Sequence, residues 1–228
     1  MRLSRLGFTL MELMIVVSII LLLVAMTIPV IGLIRKQAKE AVCRNNLTQI
    51  GIGITAFQQD NNNHFPVTLG TLFETSQPLA SESPRVMLCP FDAKKGADQY
   101  MGRPANWGVL SELYQSSTPG APKSSYVFEA ADAPMGSEVD SSWKFKSGKE
   151  WRKDGRVTWA DAKVFQLKKG NTGDKPYRMS DIPILRCFWH SAWPDNYDAA
   201  NEKRVLNLAW DMSLFWSIPK WEDQVSAP

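Results

Sequence analysis

The hydrophobic pattern begins with one long apolar run and becomes mixed after it. Residues 13–34 contain no charged side chain. At about 1.5 Å of rise per residue, a helix of that length reaches roughly 33 Å, which exceeds the roughly 30 Å of a bilayer core. No small-residue cleavage site of the secretory type closes the run, so we predict a helix that remains in the membrane.

The same helix is predicted to continue beyond the membrane. Apolar residues recur there at spacings of three and four, which is typical of one face of an amphipathic helix. These residues are Cys43, Leu47, Ile50, Ile54 and Phe57. We therefore predict a membrane-spanning segment at 8–34 and an amphipathic continuation at 35–60. Pro29 is predicted to kink or loosen the helix, and Asn61-Asn62-Asn63 to end it.

Strand patterns gather in the second half of the chain. Short β-branched and aromatic runs occupy residues 125–128, 205–210 and 213–216. A fourth pattern, at 152–159, places Asp154-Gly155 between two extended runs and predicts a hairpin. We expect residues 61–228 to form a single globular domain. The predicted fold class is α+β, with the long N-terminal helix packed on a small antiparallel sheet.

The residues before the apolar run carry the most specific signal. Arg2 and Arg5 precede Gly7 and Phe8, and Glu12 then stands at the start of the apolar helix. A carboxylate inside a membrane costs about 2.5 kcal/mol or more unless it is paired, so it indicates a functional role. The alternative is a glutamate that reaches the membrane interface from a simple anchor.

Gly7, Phe8-Thr9-Leu10-x-Glu12 and the apolar helix together resemble the class III signal of type IV prepilins and type II secretion pseudopilins. The resemblance implies that prepilin peptidase removes the basic leader 1–7 by cutting between Gly7 and Phe8, and that it methylates the new amino group of Phe8. It also implies that Glu12 pairs with the Phe8 amine of a neighbouring subunit during assembly.

The resemblance further implies a pilin-like fold and a location. The protein would span the bacterial inner membrane once, with its C-terminal domain in the periplasm, before it enters a pilus or pseudopilus. Its implied partners are prepilin peptidase, other pilin or pseudopilin subunits in a helical polymer, and the inner-membrane assembly platform.

The C-terminal part carries a second, less specific resemblance. Residues 182–185, His190 and the hairpin at 205–216 resemble the processing-associated tail of many prepilin-like proteins of planctomycete-type bacteria. Met212 stands where that tail has a turn glycine, and His190 lies further from Asp211 than in the tail. A methionine at positive φ would cost on the order of 1 kcal/mol or require another turn type.

Three cysteines in a domain placed outside the cytoplasm favour a disulfide. Cys43, Cys89 and Cys187 allow three pairings, and the sequence does not choose among them. We predict one bridge that uses Cys89. The alternative is three buried, reduced thiols.

The sequence predicts no metal site. Cys187 and His190 have the spacing of half a zinc site, but a second Cys/His pair is absent, so we expect His190 to be a loop residue satisfied by backbone. Three aspartates that could offer oxygens to calcium lack the dense spacing of a calcium loop. These are Asp195, Asp198 and Asp211.

Residues 143–169 combine an excess of basic side chains with interleaved tryptophans. Such a composition is found in proteins that bind single-stranded nucleic acid or other polyanions. The candidate binding residues are Lys149, Trp151, Arg152, Lys153, Arg156 and Trp159. We prefer the interpretation that this segment is a solvated hairpin whose tryptophans face the core.

No hydrolase, metalloprotease, nucleotide-binding or dinucleotide-binding motif occurs in the sequence. The net charge of +3 is small for 228 residues and predicts no particular partner. We therefore predict a structural subunit of a pilus or pseudopilus, neither an enzyme nor a cofactor-binding protein. The alternative function is a membrane-anchored extracytoplasmic module that binds DNA or glycan.

Overall fold

The structure is a computed structural model that describes residues 8–72, 84–97, 123–133, 158–169, 176–191, 204–219 and 221. Two compact units make up the chain, residues 1–41 and residues 42–228. The described elements are a long helix α1, a short 3-10 helix, a second helix α2 and four strands. The fold class is therefore α+β, as predicted.

Helix α1 spans Leu10–Asp60 and runs without interruption through Pro29. Its segment Leu10–Thr27 has a mean hydropathy of 2.6 and no buried residue. Among the described helices, this is the one that is long and apolar enough to cross a membrane, and it is compatible with a membrane anchor. The kink expected at Pro29 stays a prediction.

The end of α1 confirms the predicted stop. Asn62 and Asn63 have φ values of 52° and 62°, which lie in the left-handed region. Asparagine tolerates this region better than most residues do, and its use here ends the helix. The amide of Asn63 donates to the carbonyl of Gln58 at 2.8 Å. His64 follows in a loop, where its Nδ1 lies 3.3 Å from the carboxylate of Asp132.

The sheet has four strands in the order β1-β2-β3-β4, and every neighbouring pair is antiparallel. The strands are β1 (Val127–Phe128), β2 (Pro183–Cys187), β3 (Val205–Ala209) and β4 (Leu214–Ser217). Strands β1, β3 and β4 confirm sequence predictions. Strand β2 was not predicted, and its proline occupies the first position, where a missing amide hydrogen is tolerated.

The predicted apolar face of α1 is confirmed and lies in the core of the second unit. Its first four residues are fully buried and Phe57 packs partly buried against them. Gly51 lies so close to β3 that an added Cβ would be 2.8 Å from Cδ2 of Leu208. This glycine therefore allows the close approach of helix and strand, in addition to weakening the helix.

Met212, which stands where the resembling tail has a turn glycine, adopts a positive φ. Its φ is 65°, and it closes the turn between β3 and β4. The Asp211 carboxylate accepts hydrogen bonds from the amide of Ser213 at 3.0 Å and from its hydroxyl at 2.6 Å. These bonds hold the turn that a glycine would adopt without strain.

Helix α2 (Trp159–Lys169) corrects only the end of the hairpin predicted at 152–159, because Trp159 begins a helix instead of ending a strand. Thr158 and Asp161 form a capping box, in which each side chain accepts the other's amide hydrogen at 2.9 and 3.2 Å. Such a box satisfies amides that the first helical turn leaves unpaired. Residues 152–157 lie outside the described part of the chain.

A buried ion cluster lies between α2 and the sheet. The Glu129 carboxylate is 2.7 Å from Nζ of Lys163 and 2.9 Å from Nη1 of Arg186. Arg186 also donates to Asn207 at 2.9 Å and to the carbonyl of Pro219 at 2.8 Å. Side-chain exposure is 2% for Lys163, 5% for Arg186 and 14% for Glu129, so water screens these charges little.

This cluster predicts a specific acid sensitivity. Burial by itself would raise the pKa of Glu129, but Lys163 and Arg186 outweigh it and lower the pKa from 4.5 to about 2. Because the folded-state pKa lies below the unfolded one, the associated stability, about 3 kcal/mol, is present above pH 4.5 and lost as pH falls towards 2. Urea unfolding of the full chain in detergent at successive pH values would measure it.

The control for that measurement is Glu129→Gln. The wild-type protein should lose more stability than the variant between pH 4.5 and about 2. Equal losses in the two proteins would show that other carboxylates account for the acid sensitivity.

Candidate metal centre

Four metal-ligating side chains converge in the core of the second unit. They are Cys43, Cys89, Cys187 and His190, and their ligand atoms all lie within 4.8 Å of one another. The three cysteines are buried and the histidine is partly buried. The convergence of these four residues was not predicted from the sequence, which instead predicted no metal site.

Separate structural elements position the ligands. Cys43 lies on the buried face of α1. Cys187 is the last residue of β2 and pairs with Leu206 of β3. His190 lies in the turn after β2, three residues beyond its end, and Cys89 follows the 3-10 helix Pro84–Met87.

The buried Asp92 carboxylate organises the loop that carries Cys89. It accepts hydrogen bonds from the amides of Lys94 and Gly96 at 2.8 and 2.6 Å. It also accepts one from the hydroxyl of Ser125 at 2.6 Å. The amide of Asp92 donates to the carbonyl of Cys89 at 2.9 Å, which closes a tight turn directly after the cysteine.

Aromatic rings hold His190 in place. Its ring centroid lies 4.8 Å from that of Phe91 and 5.3 Å from that of Trp216, the latter edge-on. The neighbouring Trp189 donates its indole hydrogen to the carbonyl of Ser125 at 3.0 Å. His190 Nε2 lies 3.1 Å from the sulfur of Cys43. His190 therefore lies in a loop, as expected, but its hydrogen-bond partner is a cysteine sulfur and not the backbone group that was expected.

The sulfur distances do not correspond to a disulfide. The sulfur of Cys43 lies 3.6 Å from that of Cys187 and 3.7 Å from that of Cys89. A disulfide requires about 2.05 Å. The three cysteines are free, so the predicted bridge through Cys89 is not formed in this structure.

Hydrogen-bond donors surround the sulfurs. Bonds from the Cys187 and Cys43 thiols lower the pKa of Cys89, and the backbone amide of Phe91 adds to this effect. Burial raises the pKa of Cys187. The hydroxyl of Tyr126 lies 3.8 Å from the sulfur of Cys43 and accepts a hydrogen bond from Asn46 at 3.2 Å. The cluster can therefore stabilise negative charge on sulfur.

The N-terminal motif has a defined local structure from residue 8 onwards. Gly7 lies outside the described residues, and Phe8 is 76% exposed. The Glu12 carboxylate accepts the amide hydrogen of Thr9 at 2.9 Å and its hydroxyl hydrogen at 2.8 Å. The amide of Glu12 donates back to the Thr9 hydroxyl at 3.3 Å. Glu12 thus caps α1, a role that the sequence analysis did not consider.

The candidate polyanion-binding residues receive no support from the described part of the chain. Trp159 is 3% exposed and faces the core. The other five candidates, Lys149, Trp151, Arg152, Lys153 and Arg156, lie outside the described residues. Of the calcium candidates, Asp211 is engaged with Ser213, while Asp195 and Asp198 are also outside.

No family model, no curated protein and no solved structure matches this chain.

Proposed function

We propose that this chain is a prepilin-like structural subunit of a type IV pilus or type II secretion pseudopilus. Prepilin peptidase would cleave it after Gly7, and it would assemble through its N-terminal helix. The observation that carries the proposal is the segment Leu10–Thr27, which is apolar and wholly uncovered although one carboxylate, Glu12, stands within it. A membrane can cover such a helix before assembly, and neighbouring copies of it can do so afterwards.

Glu12 has two possible roles, which make different demands on its side chain. Capping of α1 requires an oxygen that accepts the amide hydrogen of Thr9, and a glutamine at this position supplies one equally well. Pairing with the Phe8 amine of another subunit requires the negative charge. An ion pair of this kind specifies register more than it adds net stability, because desolvation of both charges offsets much of their attraction.

Glu12→Gln should separate these roles in native cells. We expect the variant to be inserted in the membrane and cleaved between Gly7 and Phe8, but to be absent from filaments. The mass of the N-terminal peptide measures cleavage, and the amount of the subunit in sheared filament fractions measures assembly. Gly7→Ala is the processing control, and its N-terminal peptide should retain the leader.

Thr9→Ala is the matched control for capping. It removes the hydroxyl from the capping box but keeps the Glu12 charge, so the proposal predicts assembly close to wild type. Normal assembly of Glu12→Gln would contradict a role for the charge. An intact leader on the wild-type protein would contradict the prepilin assignment as a whole and would favour a simple anchored domain.

A further inference from the structure

We propose that Cys43, Cys89, Cys187 and His190 bind a single Zn²⁺ ion as a structural, four-coordinate site. The inference stands independently of the proposed function, because it depends only on the second compact unit.

The spacing of the ligand atoms matches one tetrahedral ion. Zinc bonds of about 2.3 Å to sulfur place two sulfurs of a tetrahedron roughly 3.8 Å apart. The sulfur–sulfur separations of 3.6 and 3.7 Å from Cys43 lie close to this value. Because all four ligand atoms lie within 4.8 Å of one another, they enclose one ion rather than a cluster of several irons.

The donor set also favours zinc. Three sulfurs and one imidazole nitrogen in a tetrahedral arrangement are typical of structural zinc sites. Four protein ligands leave no position open for a water molecule or a substrate, so the site has no catalytic function of the kind that bound zinc otherwise supplies. The burial of the three cysteines agrees with this closed arrangement.

The surroundings offset the charge that such a site would carry. Three thiolates and one Zn²⁺ leave a single negative charge in the core, and an unpaired buried charge is costly. The Phe91 amide donates to Cys89, and the Tyr126 hydroxyl, which Asn46 orients, is positioned to donate to Cys43. Hydrogen bonds of this kind to ligand atoms are a regular part of metal sites.

A disulfide explains the same residues less completely. A bridge would join two of the three cysteines and leave the third thiol and His190 without a role. Cys89 and Cys187 lie at nearly equal distances from Cys43, which fits a shared central ion better than one preferred pair. An oxidising compartment would nevertheless favour the bridge, so the redox state of the cysteines is part of the test.

The ion would join three segments that are distant in sequence. It would connect α1, the loop after Pro84–Met87, and the end of β2 with the loop that directly follows it. Because ligands of this kind are not preassembled in an unfolded chain, the free energy of zinc binding adds directly to folding. The strands of the described sheet have only two to five residues, so this contribution to stability matters for the sheet.

The test measures metal in the full chain, purified from membranes in detergent without a chelator. We expect elemental analysis to find one zinc ion per chain, and we expect His190→Ala to lose most of it. His64→Ala is the matched control, since His64 is the other histidine in the sequence and lies exposed in a loop. It should retain the ion.

Two further measurements distinguish loss of a zinc ligand from misfolding of the variant. His190→Cys replaces the nitrogen ligand with a fourth thiolate and should retain zinc, whereas a merely misfolded variant would lose it. Loading the chain with Co²⁺ in place of zinc should give the thiolate charge-transfer and tetrahedral d–d absorption bands, which His190→Cys should shift.

Alkylation under denaturing conditions reports the redox state of the cysteines. The proposal predicts that all three cysteines react once the metal has been removed, without prior reduction. A disulfide between any two of them would overturn the proposal. So would a wild-type chain that contains no zinc and takes up none when Zn²⁺ is added.

Discussion

Glu129→Gln is expected to destabilise the second unit by about 3–5 kcal/mol. The substitution leaves Lys163 and Arg186 buried without their carboxylate, and breaking a buried ion pair by removing one partner has this order of cost. The amide of glutamine can replace at most part of the hydrogen bonding. Urea unfolding of the full chain in detergent, at neutral pH, would measure the change in the free energy of unfolding.

Asp181→Asn is the matched control for that substitution. Asp181 pairs with Arg178 at 2.8 Å, but the Arg178 side chain is 75% exposed. Loss of an exposed ion pair should cost no more than about 1 kcal/mol. Addition of Lys163→Gln to Glu129→Gln should restore part of the lost stability, because it removes one of the two uncompensated charges. Similar effects of Glu129→Gln and Asp181→Asn would show that water reaches the cluster.

The sequence predicted the elements whose hydrophobic pattern is local. The apolar face from Cys43 to Phe57 was recognised because helical periodicity places these residues on one side of α1. Strands β3 and β4 were recognised from their β-branched and aromatic residues. In both cases the pattern within a few residues determines which side chains face the core.

Elements that depend on distant contacts were missed. Strand β2 begins with Pro183 and contains Arg186, so its pattern does not resemble a central strand. The buried charge of Arg186 is tolerated because Glu129, which is far away in sequence, pairs with it. Of the predicted hairpin at 152–159, only the last two residues lie in the described part of the chain. There Trp159 begins α2, because the capping box of Thr158 and Asp161 outweighs the local strand pattern.

The candidate metal centre was beyond sequence reasoning for a topological reason. Cys187 and His190 gave half of a recognisable spacing, but the other two ligands come from a helix and a loop that precede them by a long stretch of chain. Cys43 is separated by 144 residues from Cys187 and by 46 from Cys89. The packing of α1 on the sheet brings Cys43 to Cys187, and the loop ordered by Asp92 adds Cys89.

The packing of α1 on the sheet also predicts a large difference between two neighbouring isoleucines. Ile50 is fully buried, whereas Ile52, two positions further on, is 57% exposed. Ile50→Ala should destabilise the second unit by about 2–5 kcal/mol, because it removes buried methyl groups and leaves a cavity. Ile52→Ala should change the free energy of unfolding by less than about 0.5 kcal/mol, since exposed positions contribute little.

Ile50→Ala and Ile52→Ala together are a strict test of the fold, because the two substitutions are chemically identical and lie in the same helix. Any change in helix propensity is therefore shared, and only burial differs between the two sites. Urea unfolding of both variants in the same detergent would measure the difference. Equal destabilisation would mean that α1 does not present the face containing Cys43 and Ile50 to the sheet. In that case the four metal-ligating side chains would not come together as described.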